Sequence, residues 1–424
     1  MRVLVVGGGA REHALLWKLS ASPRIGALFC APGNGGTDSL ATNLPIAASD
    51  LDGIVAAAKR ERVDLVVIGP EEPLARGLAD RLWDEGIRAF GPSAAAARIE
   101  TSKSWAKDLL RGAGVPTARS VAVTDLGSGM AALTDFSWPL VLKADGLAGG
   151  KGVVIVQDRE AAQTVLTAML EDGVLGGAGE TVLVEEFLEG PEVSVLALCD
   201  GERFVTLLPA RDAKRAGDGD TGPNTGGMGA FAPIPGLDAA WLAGVERTIL
   251  APTVAAMAAA GCPMRGVLYA GLILTDRGPM VLEYNARFGD PETQVILPSL
   301  EGDLLTLLAE VASGDLDPGD AVMPGGSIDE AAVGVVLASG GYPGPFRSGL
   351  PIEGLDRVPE DVLVFHAGTR RDGAGRVVTA GGRVLTVVGR GATLDEARAR
   401  AYAGADAISF PGMHRRSDIG LPRA

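Results

Sequence analysis

Cysteine is rare in this chain of 424 residues. Its three cysteines, Cys30, Cys199 and Cys262, are far apart and form no CxxC pair. This spacing argues against a disulfide framework and against a zinc site. Long apolar runs are also missing, since none reaches the roughly 18 uninterrupted residues that a membrane-spanning helix needs. The N-terminus lacks the basic region, apolar segment and cleavage site of a signal peptide. We therefore expect a soluble, cytoplasmic protein with no membrane partner.

Positive charge is scarce as well. The chain has 38 lysine and arginine residues against 53 aspartate and glutamate residues, a formal net charge of −15. This balance excludes a protein that coats nucleic acid, and no nucleic-acid partner is expected. Only seven of the 38 cations are lysines. A chain this rich in arginine keeps lysine mainly where a compact point charge matters. Lys143, Lys151 and Lys214 lie in the motifs described below and are therefore candidate functional residues.

Apolar strands and helices alternate over residues 1–100, from a strand at Val3–Val6 to a helix at Leu74–Glu85. This rhythm predicts a parallel sheet with ligands at the carboxyl ends of its strands. Gly7–Gly9 follows the first strand, but Glu12 stands where a dinucleotide fingerprint needs its third glycine, which argues against NAD. Any one strand-end loop could be a plain turn, but three at one edge predict a pocket for a phosphorylated small molecule. Its candidate residues are Gly7, Gly8, Gly9, Asn34, Gly35, Gly36, Thr37, Pro70 and Glu71.

A glycine-rich hairpin is predicted between the strands Leu140–Lys143 and Val153–Val156. Its loop contains four glycines and Lys151 but lacks the GxxxxGK[ST] order of a P-loop. Such a loop can still close over a triphosphate, with backbone N–H groups facing the phosphates and Lys143 projecting from the strand. The alternative is a mobile hairpin with a solvated lysine.

A hinge rich in carboxylates follows at Val184–Glu192. Glu185 and Glu192 are placed to accept hydrogen bonds from an adenine amino group or from ribose hydroxyls, and the backbone of Phe187 and Leu188 could pair with the adenine edge. An acidic surface turn is the alternative interpretation.

Polar residues alternate along a predicted strand near position 285. Glu283, Asn285 and Arg287 share one face because strand side chains alternate with period two. A carboxylate and an amide oxygen suit Mg²⁺, and Arg287 suits a forked contact to a carboxylate or phosphate. Asp212 and Lys214 precede a second polar segment, Asp220–Gly229, which we expect to be a functional loop.

Three regions are predicted, in an α/β and α+β multidomain fold. Residues 1–102 form the N-terminal parallel-sheet domain, which is Rossmann-like and is expected to bind a phosphorylated small molecule. Residues 103–325 form the nucleotide-binding domain, with a mobile lid at about 120–190. Residues 326–424 form a small β-rich C-terminal domain, after a Pro/Gly-rich stretch that is typical of a linker.

These motifs, in this order, resemble the phosphoribosylamine–glycine ligase (glycinamide ribonucleotide synthetase) family of the ATP-grasp superfamily. The resemblance runs nearly end to end, and its most specific segments are Arg287–Gln294, Asp220–Gly229 and Lys143–Gly152. It implies that ATP phosphorylates glycine and that the amine of 5-phosphoribosylamine attacks the glycyl phosphate. The products would be glycinamide ribonucleotide, ADP and phosphate, in the second step of de novo purine (IMP) biosynthesis. ATP and Mg²⁺ or Mn²⁺ are the implied cofactors, and a monomer is the implied state.

The resemblance also assigns roles to residues. ATP is expected to bind Lys103, Lys143, Gly149, Gly150, Lys151, Gly152, Glu185, Glu186, Phe187, Leu188 and Glu192. The metal ligands would be Glu283 and Asn285, and the catalytic residues Arg287, Asp212 and Lys214. The N-terminal candidates of the domain 1–102 would bind the ribose phosphate. The other substrate-binding residues would be Asn224, Thr225, Gly226, Arg287, Gly289, Asp290, Pro291 and Glu292.

The chain departs from the family pattern at a few positions. Ala213 replaces a usual histidine, and the strand Leu268–Leu274 lacks the acidic metal ligand of many ATP-grasp relatives. The metal site would therefore depend on Glu283, Asn285 and phosphate oxygens. The nearest alternative is another ATP-grasp carboxylate–amine ligase, for example one acting on formate or bicarbonate. A catalytically silent nucleotide-binding regulator is an alternative from a different class.

Overall fold

The computed structural model describes residues 1–148, 152–317 and 330–421. Its N-terminal part is a parallel sheet with the strand order β3-β2-β1-β4-β5, which confirms the predicted α/β region. Leu4 and Val6 of the first strand belong to one apolar core and Val3 and Val5 to another, so both faces of this strand are covered. The elements are β1 (Arg2–Gly7), α1 (Ala10–Ser20), β2 (Ala27–Pro32), β3 (Thr42–Asn43), α2 (Leu51–Arg60), β4 (Leu65–Ile68), α3 (Glu71–Ala75), α4 (Leu78–Asp84), β5 (Arg88–Phe90) and α5 (Ala94–Thr101).

The helix expected at Leu74–Glu85 differs from the structure, which has two short helices there. Gly77 separates α3 from α4 and has a φ of +77°. This left-handed conformation suits glycine and interrupts helical hydrogen bonding.

A four-stranded antiparallel sheet follows, in the order β6-β9-β7-β8. We call it the small sheet. Its apolar core is separate from those of the N-terminal region and includes Leu142, Leu166 and Val184. The elements from this part of the chain are α6 (Lys103–Gly112), β6 (Ser120–Val123), α7 (Leu126–Ala132), β7 (Leu140–Ala144), β8 (Val153–Val156), α8 (Arg159–Leu170) and β9 (Val182–Glu186).

A second antiparallel sheet, which we call the central sheet, has the order β11-β10-β16-β17. The expected loop Asp220–Gly229 is instead partly a strand, because β14 pairs with β13 in a hairpin. The elements are β10 (Glu192–Asp200), β11 (Phe204–Thr206), β12 (Arg211–Asp212), β13 (Arg215–Gly217), β14 (Thr221–Asn224), β15 (Gly229–Ala232), α9 (Ala239–Val245), α10 (Ala251–Ala259), β16 (Arg265–Thr275), β17 (Gly278–Asn285), α11 (Glu292–Ile296) and α12 (Leu304–Ser313).

The C-terminal region completes a sheet that the middle of the chain begins. In the order β12-β15-β18-β22-β19, two strands come from residues 211–232 and three from residues 331–391. The remaining elements are β18 (Ala331–Ala338), β19 (Leu363–His366), β20 (Thr369–Arg371), β21 (Val377–Thr379), β22 (Arg383–Gly391) and α13 (Leu394–Ala407). The C-terminal region is therefore joined by backbone hydrogen bonds to the polar segment that begins at Asp212.

One helical stretch of the described residues, Ala239–Ala259, is long and apolar enough to cross a membrane. It comprises α9, a π-helical turn and α10. Its side chains Val245, Ile249 and Met257 are buried in the largest apolar core. This stretch is a partly buried core helix.

Candidate active site

The lysine-bearing hairpin of the small sheet meets the carboxylate strand of the central sheet. Lys143 lies near the end of β7, and its ammonium donates a hydrogen bond to the carbonyl oxygen of Leu282 on β17, 3.0 Å away. Leu282 immediately precedes Glu283, so the lysine reaches the strand that carries the predicted metal ligands. The same ammonium lies 2.9 Å from the carboxylate of Glu185 on β9. A ligand held between the small sheet and the central sheet would touch both elements.

Glu185 is shared by two lysines. Its side chain is only 2% exposed, and Lys107 of α6 approaches it to 3.3 Å from the side opposite Lys143. The Lys107 ammonium also donates to Thr117 Oγ1 at 2.8 Å and to the carbonyl oxygen of Ala118 at 3.2 Å. Burial lowers the pKa of Lys107 to about 8, although Glu185 opposes the shift. Sequence reasoning missed Lys107, and its signal was its spacing of four residues from Lys103, which places both on one helical face.

The hinge after β9 borders a small apolar surface. Four buried side chains form this cluster: Ala118, Leu188, Ile273 and Met280. Leu282 packs against it, so the cluster adjoins the contact made by Lys143. Phe187 is 37% exposed, and the Glu186 carboxylate accepts a hydrogen bond from the backbone of Arg119 at 3.0 Å. This apolar cluster beside the exposed Phe187 of the hinge suits a flat, partly polar ring such as adenine.

Glu283 lies in a strongly positive environment. Burial alone would raise the pKa of its carboxyl, but four neighbouring cations hold that pKa below its usual value: Lys214, Lys143, Lys103 and Arg287. The carboxylate is therefore ionised, and the cations around it can neutralise the charge of a polyphosphate. Lys103 also donates a hydrogen bond from its ammonium to the carbonyl oxygen of Gly146 at 3.4 Å.

The donor set on β17 fits a magnesium ion that shares phosphate oxygens. Glu283 and Asn285 lie opposite Gly271 and Tyr269 of β16 and thus on one face of the strand. Within the described residues no group of three or more His, Cys, Asp and Glu side chains could hold a metal ion. One carboxylate and one amide oxygen leave most of an octahedral shell to phosphate and water, as Mg²⁺ prefers. The Asn285 amide oxygen currently accepts from Arg287 at 3.3 Å.

Asp212 and Lys214, beside this site, are close enough for the charge of each to shift the pKa of the other. Burial raises the pKa of Asp212 to about 7, since Glu292 and Glu192 add to the effect and outweigh the opposing charge of Lys214. Burial would lower the pKa of Lys214, but Asp212 and Glu192 raise it well above its usual value. The Lys214 ammonium lies 2.5 Å from the Glu192 carboxylate. Asp212 can therefore take up or release a proton near neutral pH while Lys214 stays charged.

Arg287 joins the N-terminal region to the central sheet. Its Nε atom lies 3.5 Å from Glu71 and 3.6 Å from Glu100. Glu100, at the end of α5, also accepts a hydrogen bond from the backbone of Ala286 at 2.7 Å. Burial raises the pKa of Glu100, although Arg287 opposes the shift. Glu100 was missed because nothing in the sequence pattern relates α5 to a strand nearly 190 residues later.

The turn after Arg287 is held from two sides. Glu292 is buried and accepts hydrogen bonds from Tyr269 at 2.5 Å and Ser194 at 3.0 Å, so its carboxylate is used in supporting the turn. Asp290 accepts from Gln294 at 2.7 Å and pairs with Arg383 at 3.1 Å. Arg383, on β22, was not among the predicted site residues.

Arg383 also holds the second polar segment. Its guanidinium donates to the carbonyl oxygens of Gly226 at 2.6 Å and Asp290 at 2.9 Å. Thr225 donates its backbone N–H to the carbonyl oxygen of Lys214 at 2.7 Å. Asn224 is exposed at the end of β14. The structure thus brings the two predicted substrate segments, residues 224–226 and 289–292, to one place.

The N-terminal loops make most of their polar contacts with the chain itself. Glu12 accepts a hydrogen bond from the Gly9 N–H at 2.7 Å and thereby occupies the amide at the start of α1. Asn34 donates from its amide to the carbonyl oxygens of Gly8 at 3.0 Å and His366 at 2.7 Å. Its amide oxygen accepts from the N–H groups of residues 36 and 37. These contacts join the sheet edge to the C-terminal region, and Glu71 is the predicted residue of this edge that reaches Arg287.

Three of the predicted ATP-binding residues, Gly149, Gly150 and Lys151, lie outside the described residues. The carbonyl oxygen of Gly152 accepts a hydrogen bond from the Ala144 N–H at 2.8 Å and continues the pairing of the hairpin.

Two antiparallel sheets that meet at a lysine of one and a Glu-x-Asn strand of the other are typical of an ATP-grasp enzyme. Comparison with family models extends this class along the chain: residues 1–100 match the phosphoribosylglycinamide synthetase N domain, residues 101–293 its ATP-grasp (A) domain and residues 332–422 its C domain. The chain belongs to the phosphoribosylglycinamide synthetase family. This confirms the resemblance and the fold class predicted from the motifs.

Individual relatives agree with this assignment. The chain is 48% identical to a phosphoribosylamine–glycine ligase of Caulobacter vibrioides, over 99% of this chain and 98% of the relative. It is 50% identical to one of Streptomyces coelicolor over the full length of both. The crystal structure of phosphoribosylamine–glycine ligase from Thermotoga maritima matches with a TM-score of 0.85 and 35% identity, covering 99% of this chain and 100% of the other. A biotin carboxylase from Campylobacter jejuni, with a TM-score of 0.74 and 15% identity, shares the fold.

Proposed function

We propose that this ATP-grasp enzyme joins glycine to 5-phosphoribosylamine and releases glycinamide ribonucleotide, ADP and phosphate. The observation that carries the proposal is the convergence of four cations on Glu283. Beside it, the family-specific segments, residues 220–229 and 287–294, meet where Arg383 contacts Gly226 and Asp290. A carboxylate is a poor electrophile, and phosphorylation supplies the leaving group that amide formation needs. The residues therefore have to position two substrates and neutralise phosphate charge, and no protein nucleophile is required.

The nucleotide would lie between the small sheet and β17. Lys143 and Lys103 would contact its phosphates, and the apolar cluster around Leu188 would cover one face of adenine. Glu283 and Asn285 would hold Mg²⁺ or Mn²⁺ against phosphate oxygens. When bound, the ion would stabilise the negative charge on the transferred phosphoryl group and on the leaving ADP.

Glycine would be oriented by Arg287, whose fork suits a carboxylate. One glycine carboxylate oxygen attacks the γ-phosphorus, and the bond between that phosphorus and ADP breaks. The amine nitrogen of phosphoribosylamine then attacks the acyl carbon, and the bond to the phosphate oxygen breaks. The amine must lose a proton in this step, and Asp212, with a pKa of about 7, is the group that would accept it. The Lys214 ammonium would keep the Asp212 carboxyl in place and would stabilise the negative charge of the departing phosphate.

The test is release of ADP from the full chain with MgATP, glycine and freshly prepared phosphoribosylamine. We expect turnover with this pair and none above background when formate or bicarbonate replaces glycine. Lys143→Ala should abolish turnover, whereas Lys59→Ala, which removes an exposed lysine paired with Glu85, should leave it unchanged. Turnover with formate or bicarbonate at the rate seen with glycine would instead support another ATP-grasp carboxylate–amine ligase.

The small sheet and the segments around it, residues 120–190, would act as a lid within the domain 103–325, between the domains 1–102 and 326–424. The lid has its own apolar core and touches the central sheet through Lys143 and the hinge, so rotation about the hinge would disturb few buried side chains. Limited proteolysis should cut this part of the chain more slowly with MgATP than without it; equal rates would contradict a closing lid. We also propose that the protein is cytoplasmic and monomeric. Light scattering of the purified chain would test the monomeric state.

A further inference from the structure

A fully buried arginine near the C-terminus grips the hairpin formed by β13 and β14. The Arg416 guanidinium pairs with Asp418, from Nε at 2.7 Å and from the second nitrogen at 2.5 Å. Its third nitrogen donates to Asp220 at 2.8 Å and to the carbonyl oxygen of Arg215 at 3.1 Å. The side chain is 0% exposed, although Asp220 is 38% exposed. A guanidinium this buried, with all three nitrogens in use, is a fixed point of the structure.

The residues around Arg416 extend this contact along the hairpin. The backbone N–H of Ser417 donates to Asp218 at 2.8 Å, and its hydroxyl donates to the same carboxylate. Gly219 donates its N–H to Asp418 at 2.9 Å. His414 Nε2 lies 2.8 Å from the carbonyl oxygen of Ala216. We call these four residues, His414, Arg416, Ser417 and Asp418, the C-terminal clasp.

The hairpin needs such a support. It is a two-stranded sheet whose second strand, Thr221–Asn224, is exposed along its whole length. An isolated two-stranded hairpin is marginally stable in water. Its open end, where Arg215 lies opposite Asn224, is held by Arg383 on Gly226 and by Arg416 on Arg215. Its turn is held by the contacts of Ser417 with Asp218 and of Asp418 with Gly219.

The clasp contacts the residue next to the predicted catalytic lysine. Arg416 binds the carbonyl oxygen of Arg215, the neighbour of Lys214. On the other side Thr225 donates both its N–H, at 2.7 Å, and its hydroxyl, at 2.9 Å, to the carbonyl oxygen of Lys214. The backbone that carries Lys214 is thus fixed by the hairpin, and the hairpin by the clasp. The ammonium of this lysine reaches Glu192 at 2.5 Å.

We propose that Arg416 is a positioning residue of the active site: through the hairpin it fixes the backbone of Lys214 so that the ammonium faces Asp212 and Glu192. The C-terminal clasp then supports the active site without contacting a substrate. Its catalytic consequence rests on the proposed ligase function, but its effect on the hairpin does not.

Arg416→Lys keeps the positive charge but loses the fork that joins the two aspartates to the backbone. We expect kcat with glycine and phosphoribosylamine to fall about 10- to 100-fold, since small displacements of catalytic groups cost this much. The Kd of MgADP should stay within about twofold, because most of the expected nucleotide contacts lie on α6, the small sheet and β17, and Glu192 is the one that Lys214 contacts. A merely unstable protein would lose both kcat and MgADP affinity. Amide hydrogen exchange in residues 214–225 should become faster.

Arg415→Lys is the matched control. Arg415 is the neighbour of Arg416 but pairs with Asp406 of α13 and lies over the ring of Tyr402, away from the hairpin. It should leave kcat and the exchange of residues 214–225 as in the wild type. Asp218→Asn is a milder second variant for use if Arg416→Lys does not fold, and kcat should then fall about two- to fivefold, as for one weakened hydrogen bond.

The outcomes separate the two proposals. Faster exchange in residues 214–225 together with a lower kcat and an unchanged MgADP affinity supports the positioning role. Unchanged exchange, or unchanged kcat in a variant whose exchange is faster, overturns it. A wild-type protein with no ligase turnover would overturn the proposed function, and hydrogen exchange would still decide whether Arg416 holds the hairpin.

Discussion

Mild acid should destabilise this protein through two buried histidines at the junction of its N- and C-terminal regions. The backbone N–H of His366 donates a hydrogen bond to His13 Nδ1 at 2.8 Å, which requires that nitrogen to be unprotonated. Their ring centroids are 5.5 Å apart. Burial lowers the pKa of His13 to about 3, and the charge of His366 adds to the effect. Burial likewise lowers the pKa of His366 to about 4, with Arg371 adding to it.

The size of the effect follows from proton linkage. Both histidines bind protons more weakly in the folded chain than in the unfolded chain, whose histidines titrate at about 6.5. Their contribution to stability is therefore complete above pH 6.5 and is lost as the pH falls toward 4 and then 3. Between pH 7 and pH 5 each histidine should lower the free energy of unfolding by about 2 kcal/mol, or about 4 kcal/mol for both.

His13→Asn isolates this contribution, because the amide oxygen of asparagine can accept the hydrogen bond that Nδ1 accepts and does not titrate. Urea unfolding of both proteins should be followed at pH 7, 6 and 5. The variant should lose about 2 kcal/mol less than the wild type between pH 7 and pH 5. Aspartate and glutamate side chains also titrate over this range, but their contributions are common to both proteins and cancel in the difference. Parallel losses of stability in the two proteins would refute the linkage to His13.

Three further predictions concern the candidate active site. Lys107→Met leaves Lys143, among the described lysines, as the one that pairs with Glu185. The undivided charge of Glu185 should hold Lys143 back from the nucleotide and raise the Kd of MgATP about tenfold in calorimetry; an unchanged Kd would contradict this. Glu283→Gln should lower kcat by about 100-fold or more with an unaltered circular dichroism spectrum, and near-normal activity at ordinary Mg²⁺ would count against the metal assignment. Asp212→Asn should lower kcat about 100-fold and remove the rise of wild-type activity with pH near 7; a retained rise would assign that proton to another group.

The features that sequence could predict are those carried by short segments. The period-two alternation that places Glu283 and Asn285 on one face needs only a strand, and β17 supplies it. The N-terminal parallel sheet follows from apolar strands such as the one predicted at Val3–Val6, which lies within β1. Such patterns are local, so they survive without knowledge of the partners that the segments meet.

The features that could not be predicted depend on contacts between distant parts of the chain. Glu100 meets Arg287 across almost 190 residues, and Arg383 reaches Gly226 from more than 150 residues away. Lys107 occupies an amphipathic helix, where a lysine is usually solvated, and here it is buried against Glu185 of β9 and against Thr117 and Ala118. Burial of a charge is a property of the packed molecule, so a single sequence does not report it.

The glycines around Glu12, two at or just after the end of β1 and one after β4, are explained by packing, although those near the end of β1 resemble a nucleotide fingerprint. A Cβ atom at Gly7, Gly9 or Gly69 would lie 2.6, 2.8 or 2.0 Å, respectively, from the side chain of Glu12. A side chain at any of these three positions would therefore displace the Glu12 carboxylate. That carboxylate accepts from the Gly9 N–H and pairs with Arg11 at 2.6 Å. A phosphate at this amide would have to replace Glu12 and meet its charge, so a substrate phosphate at this sheet edge is better matched to cationic side chains than to the glycine amides.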